Sequence, residues 1–99
     1  MRTMMRITMA VEAGNRAFAD GSLQRTIQGL MDRLKPESAY FFPDEGKRSA
    51  QFVFDLQDTA QIPALVEPLF SGLNAEVRLT PVMNAEDLRK GLGEAAKAR

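Results

Sequence analysis

The sequence contains no cysteine, no histidine and no tryptophan. Without cysteine there is neither a disulfide framework nor a thiolate for metal or nucleophilic chemistry, and a reducing compartment suits the chain. Without histidine the commonest metal ligand, the commonest general base and the usual proximal haem ligand are all absent. No cofactor and no metal are expected. Net charge is missing too: 13 basic residues balance 13 acidic ones, and the signs are interspersed, so no long-range field draws in nucleic acid or anionic lipid. No apolar run approaches the ~18 residues of a membrane span, and the first ten residues, which hold Arg2 and Arg6, lack the apolar core of a signal peptide. The expectation is a cytoplasmic protein with no nucleic-acid or membrane partner.

Hydrophobic residues make up 44% and charged residues 26% of the 99 positions, enough for one core and one domain over 1–99. Met5, Ile7, Met9 and Val11 alternate with Arg6, Thr8, Ala10 and Glu12, which predicts a half-buried strand. Asn15 then offers an N-cap for a long helix to Lys35, with Ala19, Leu23, Ile27, Leu30 and Leu34 as its apolar stripe and Pro36 as its stop. Ala39 to Phe42 is a short aromatic strand. Turn residues Pro43 to Gly46 lead into a second alternating run, Ser49 to Leu56, so the two form a hairpin.

Asp58 or Thr59 caps the next helix, whose stripe is Ile62, Leu65, Val66, Leu69 and Leu73. Pro68 inside it predicts a kink or an early end near Glu67. Gly72 and Asn74 are stop signals before a fourth strand, Ala75, Val77 and Leu79, closed by Pro81. Asn84 with Asp87 approximates a capping box for a last helix. Its narrow Leu88/Leu92 stripe, Gly91, Gly93 and the Ala/Lys-rich tail predict fraying toward Arg99.

Strand, helix, strand, strand, helix, strand describes an α+β, ferredoxin-like βαββαβ domain. It implies a four-stranded antiparallel sheet with two helices on one face, to which the segment 85–99 is appended. The helices should cover Met5/Ile7/Met9/Val11 and Ala50/Phe52/Phe54/Leu56. The other face carries Arg6, Thr8, Ala10, Gln51, Val53, Asp55, Glu76, Arg78 and Thr80, with either Tyr40 and Phe42 or Phe41 and its neighbours. That mixture is too polar for a core and richer in apolar area than a solvated surface needs.

The segments LKPESAYF, GKRSAQFVFDL, EPLFSGLNAEV and TPVMNAEDLRKGL resemble a family of small bacterial proteins built around a domain of unknown function. The architecture is also similar to the dimeric α/β barrel superfamily, in which two such sheets pack face to face around a pocket. That resemblance implies a homodimer through the open sheet face. Superfamily members include cofactor-free monooxygenases, haem enzymes, isomerases and binding modules, so fold does not select a function. The histidine of the haem-binding members has no counterpart here.

Candidate ligand-binding residues are Arg6, Thr8, Tyr40, Gln51 and Arg78, where arginine and phenol would meet a carboxylate or carbonyl. The plainer alternative pairs Arg6 and Arg78 with Asp55 and Glu76 across adjacent strands. Glu12, Asn15, Arg16 and Asp20 cluster at the first strand–helix junction, where capping by Asn15 is the simplest role. Phe41, Phe42, Phe52 and Phe54 read as core rather than as RNA-stacking rings, since the basic context of that motif is absent. Asp44, Glu45 and Asp58 fit turns and caps rather than a metal site, and Lys47, Arg48, Lys90 and Lys97 read as solvated. No residue is assigned a catalytic role. Three functions fit: a homodimeric module holding a small amphipathic molecule between its sheets, a cofactor-independent oxygenase or isomerase acting on a small acidic or aromatic compound, or a purely structural role in a larger assembly built through the strand edge or the last helix. The second needs Glu12, Asp55 or Glu76 as a base after burial has raised its pKa.

Overall fold

The first strand, β1, spans Arg2–Thr8 and places Thr3, Met5 and Ile7 in the interior. In the computed structural model, which describes residues 1–98, it begins before the alternation read from Met5 onward and ends before Val11. Thr3 hid that start: its hydroxyl donates to the Met1 carbonyl at 3.0 Å, which lets a polar side chain sit on the buried row. Val11 is not on the strand's core row. It opens α1 (Val11–Asp20) and is exposed.

The long helix expected from Asn15 is two helices. Gly21, at φ 82°, stands in the left-handed region between α1 and α2 (Ser22–Leu34), a conformation that favours glycine. The break resets the helical phase, so α1 buries Ala13 and Ala17 rather than Ala19, while α2 buries Leu30 and Leu34. Asn15 caps nothing: Ala10 precedes the first turn, and Asn15 lies within α1.

β2 (Ser38–Asp44) and β3 (Lys47–Asp55) form the hairpin. Asp44 pairs with Lys47 around Glu45 and Gly46, both at positive φ, as a two-residue type I′ turn requires. A 3₁₀ turn, Thr59–Gln61, is capped by Asp58 and leads into α3 (Ile62–Leu73), then β4 (Glu76–Pro81).

α3 does not end at Glu67: it continues through Pro68 to Leu73. The carbonyl that Pro68 leaves without a donor, that of Ala64, accepts a 2.8 Å hydrogen bond from Arg33 Nη1 on α2. A side chain from a neighbouring helix thus replaces the missing backbone donor, and Leu65, Val66, Leu69 and Leu73 all stay buried.

The sheet order is β2-β3-β1-β4, and β1 pairs antiparallel with both β3 and β4. This is the ferredoxin-like arrangement, with the helices over the face that carries Met5, Ile7, Ala50, Phe52 and Phe54. Full burial of each large apolar side chain contributes roughly 1.5–3 kcal/mol. Met5, Ile7, Phe52, Leu69 and Leu73 meet that condition.

α4 (Ala85–Lys97) opens with the complete Asn84/Asp87 capping box and buries none of its residues. Its first turn is tied to the body through Arg2, which bridges Glu37 at 2.7 Å and Asp87 at 3.0 Å. The radius of gyration, 16.0 Å, exceeds the ~13 Å of a compact 100-residue domain, in keeping with a helix that stands off the core. The expected fraying at Arg99 lies outside the described residues. No helix among them is long and apolar enough to cross a membrane.

Candidate functional site

Cross-strand register decides which side chains share the open face. Tyr40 pairs with Gln51, Gln51 with Arg6, and Arg6 with Arg78, so these four form one row across all four strands. Thr8 belongs to the next row, between Ser49 and Glu76. Tyr40 and Phe42 therefore take the open side, while Phe41 points to the helix side with Ala50. Tyr40 is 66% exposed.

Placing two arginines directly opposite each other is unfavourable unless one charge is offset. Arg6 is the one offset: its Nη2 donates to Asp44 Oδ2 at 2.8 Å, and its guanidinium lies 5.3 Å from the Phe42 ring centre. Arg78 has no ion pair among the described residues. The expected partners of these arginines are engaged otherwise or not at all. Asp55 accepts from the Met1 ammonium at 2.6 Å, which holds its carboxyl below the usual range, and Glu76 has no ion pair among the described residues. Arg6, Thr8, Glu76 and Arg78, with the hairpin tip, surround a polar basin of about 250 Å³. Tyr40 and Gln51 lie outside it, so the five candidate residues share a face but not one concavity.

The aromatic cluster also divides. Phe52 and Phe54 are core, whereas Phe42 is half-buried under Arg6 and Phe41 is 55% exposed. The expectation that all four pack in the core fails at the edge strand, because β2 overhangs the helix layer there. Phe41 still meets Phe52 edge to face, with ring centres 5.7 Å apart.

A concavity of about 650 Å³ opens on the helix side, where α1 and α2 diverge from the β2–β3 hairpin. Its walls include Met9, Leu23, Ile27 and Phe41, and its polar groups are Asn15, Lys47, Arg48 and Ser49. Arg48 is not a merely solvated side chain. It is half-buried, donates from Nη1 to Asn15 Oδ1 at 3.0 Å, and sets its guanidinium 5.9 Å from the Phe18 ring centre. A Cβ on Gly14 would come within 3.0 Å of Arg48 Nη1. Gly14, Asn15 and Phe18 fall on one side of a helical turn, a spacing that could have marked the cradle in the sequence. The arginine that fills it arrives from a distant strand. Of the remaining junction residues, Glu12 and Arg16 are exposed, and Asp20 accepts from the Ser22 N–H at 2.8 Å.

The sheet order and the helix layer define a ferredoxin-like α+β domain. No protein-family model matches the chain, and no curated protein does. Among solved structures it is similar to a formyltetrahydrofolate deformylase from Pseudomonas putida KT2440, with a TM-score of 0.51 and 11% identity over 82% of this chain. The chain spans 28% of the length of that deformylase. It is also similar to the de novo designed protein Ferredog-Diesel, with a TM-score of 0.48 and 12% identity over 82% of this chain and 85% of that one. At such identities the deformylase likeness shows the fold alone.

Proposed function

We propose that the protein is a homodimeric binding module whose two copies meet through the open sheet face and hold a small amphipathic molecule between them. One observation carries this reading. α1, α2 and α3 pack on one face of the sheet, and the other presents exposed Tyr40 with half-buried Met4, Phe42 and Val53 among Arg6, Gln51 and Arg78. Such a surface favours a partner that covers the rings and leaves the cations lining the space between. Arg78 would meet the polar end of a ligand, and Tyr40 and Phe42 its apolar part. The absence of cysteine supports a reducing, cytoplasmic setting.

The catalytic alternative has less support because it lacks a base. Glu12, Asp55 and Glu76 are all exposed, and Asp55 is shifted toward the ionised form rather than away from it. Sedimentation equilibrium tests the dimer: the wild type should run as two copies at micromolar concentration, and Tyr40→Glu as one with an unchanged circular dichroism spectrum. A wild type that sediments as a monomer throughout would sink the proposal.

A further inference from the structure

The helix-side groove carries an inference independent of the dimer. Arg48 at its mouth is half-withdrawn from water, yet its neighbours there, the Asn15 amide, the Gly14 backbone and the Phe18 ring, are all neutral. No carboxylate lies within ion-pair distance of it among the described residues. A guanidinium has five donors in a flat fork, and Asn15 occupies one direction only. The side chain is thus held in place with donors to spare and its charge uncompensated. Immediately beyond it the groove turns apolar along Leu23, Ile27 and Phe41.

We propose that this groove binds a free amphipathic monocarboxylate, its carboxylate on the Arg48 guanidinium and its hydrocarbon part along Leu23, Ile27 and Phe41. The volume, about 650 Å³, falls in the range of roughly 300–1,000 Å³ that small-molecule sites occupy. Charge complementarity selects the head group: one fixed guanidinium matches one carboxylate in a bidentate fork. Lys47, the other cation at the mouth, falls by strand parity with Ser49 and Gln51 on the open-face row, whereas Arg48 falls with Ala50 and Phe52 on the helix side. Holding Arg48 against Gly14 and Phe18 beforehand also reduces the ordering cost of binding. Mechanistically, the site sorts by both ends of the ligand, since an alcohol of equal length leaves Arg48 unpaired and a short acid leaves the groove wet.

Calorimetric titration with decanoate, decan-1-ol and decyltrimethylammonium tests this, read alongside amide chemical-shift changes. Decanoate should saturate at one molecule per chain, with shifts at Asn15, Leu23, Ile27 and Phe41, and decanol should bind at least about tenfold more weakly. Arg48→Gln should cost decanoate about tenfold and leave decanol unchanged. Leu23→Trp, which fills the groove without touching the cation, should weaken both. Equal affinity for all three amphiphiles, no saturable decanoate binding, or shifts confined to α4 or the open face would each overturn the proposal. So would self-association abolished by Arg48→Gln, which would make a second copy the occupant. Tyr40→Glu should leave decanoate binding intact, so failure of the dimer and failure of the groove are separable results.

Discussion

Replacing Pro68 probes how the helix layer stays on the sheet. Proline in a helix interior costs about 3 kcal/mol relative to alanine, because it removes one hydrogen bond and crowds the carbonyl four residues back. Here Arg33 Nη1 supplies the Ala64 carbonyl with a replacement donor at 2.8 Å, a bond from an exposed side chain that contributes about 1 kcal/mol. Pro68→Ala should restore the backbone donor and make the arginine redundant, for a net gain of about 2 kcal/mol. In a domain of this size that corresponds to a rise of about 10 °C in Tm. Arg33→Ala should cost about 1 kcal/mol in the wild type and close to nothing in the Pro68→Ala background. Urea denaturation followed by circular dichroism measures all four proteins, provided the slope with denaturant stays constant across them. An Arg33→Ala cost that is the same in both backgrounds would show that Arg33 does not stand in for the proline's missing N–H. A neutral Pro68→Ala would show that the helix carries no penalty to relieve.

Two glycines within helices should respond differently to alanine. Gly29 is exposed with no atom near the added methyl, so Gly29→Ala should stabilise by about 1 kcal/mol. Gly14→Ala gains the same propensity but displaces Arg48 from its cradle, so its net effect should fall to about zero. The full gain should return in Arg48→Gln, and equal gains at both sites in the wild type would mean that Arg48 does not rest on Gly14. For acid stability, hydrogen bonds from the Ser22 side chain and N–H hold the Asp20 carboxyl below its usual range. A carboxyl depressed in the folded state contributes above the unfolded pKa of about 3.9 and loses that contribution as pH falls through the folded value. Asp20→Asn should therefore flatten stability against pH below about pH 4; an unchanged acid limb in chemical denaturation would contradict the assignment.

The strands were legible because alternation survives any change of partner, and β3 carries Ala50, Phe52 and Phe54 inward as read. Legibility failed where the decisive contact was distant in sequence. Nothing local says that Arg33 will rescue Pro68, so the rule that proline ends helices gave the wrong outcome for α3. Gly21 lies inside the stretch from Asn15 to Lys35 that apolar spacing predicts as one helix, yet its positive φ divides two helices, and the register on each side is set by packing rather than by a continuous stripe. The open-face row shows the intermediate case. Its members were identifiable strand by strand, but their alignment depends on register, which the hairpin fixes only for β2 and β3.

The arginines show why composition was a poor guide to the sites. Thirteen charges of each sign give a neutral chain, and neutrality argues against a field that acts at a distance. It does not require each cation to be neutralised where it stands. Arg2 is held by Glu37 and Asp87, and Arg6 by Asp44. Arg48 and Arg78 have no such partner among the described residues. Strand parity places Arg48 with Ala50 and Phe52 on the helix side, and Arg78 with Thr80 on the open side. An anion at one is therefore separated from an anion at the other by the thickness of the sheet. Their electrostatic coupling is weak, since about 10 Å of partly solvated distance is comparable to the screening length at physiological salt. If both carry anions, the two should bind additively, and a variant at either position should leave the other's affinity unchanged.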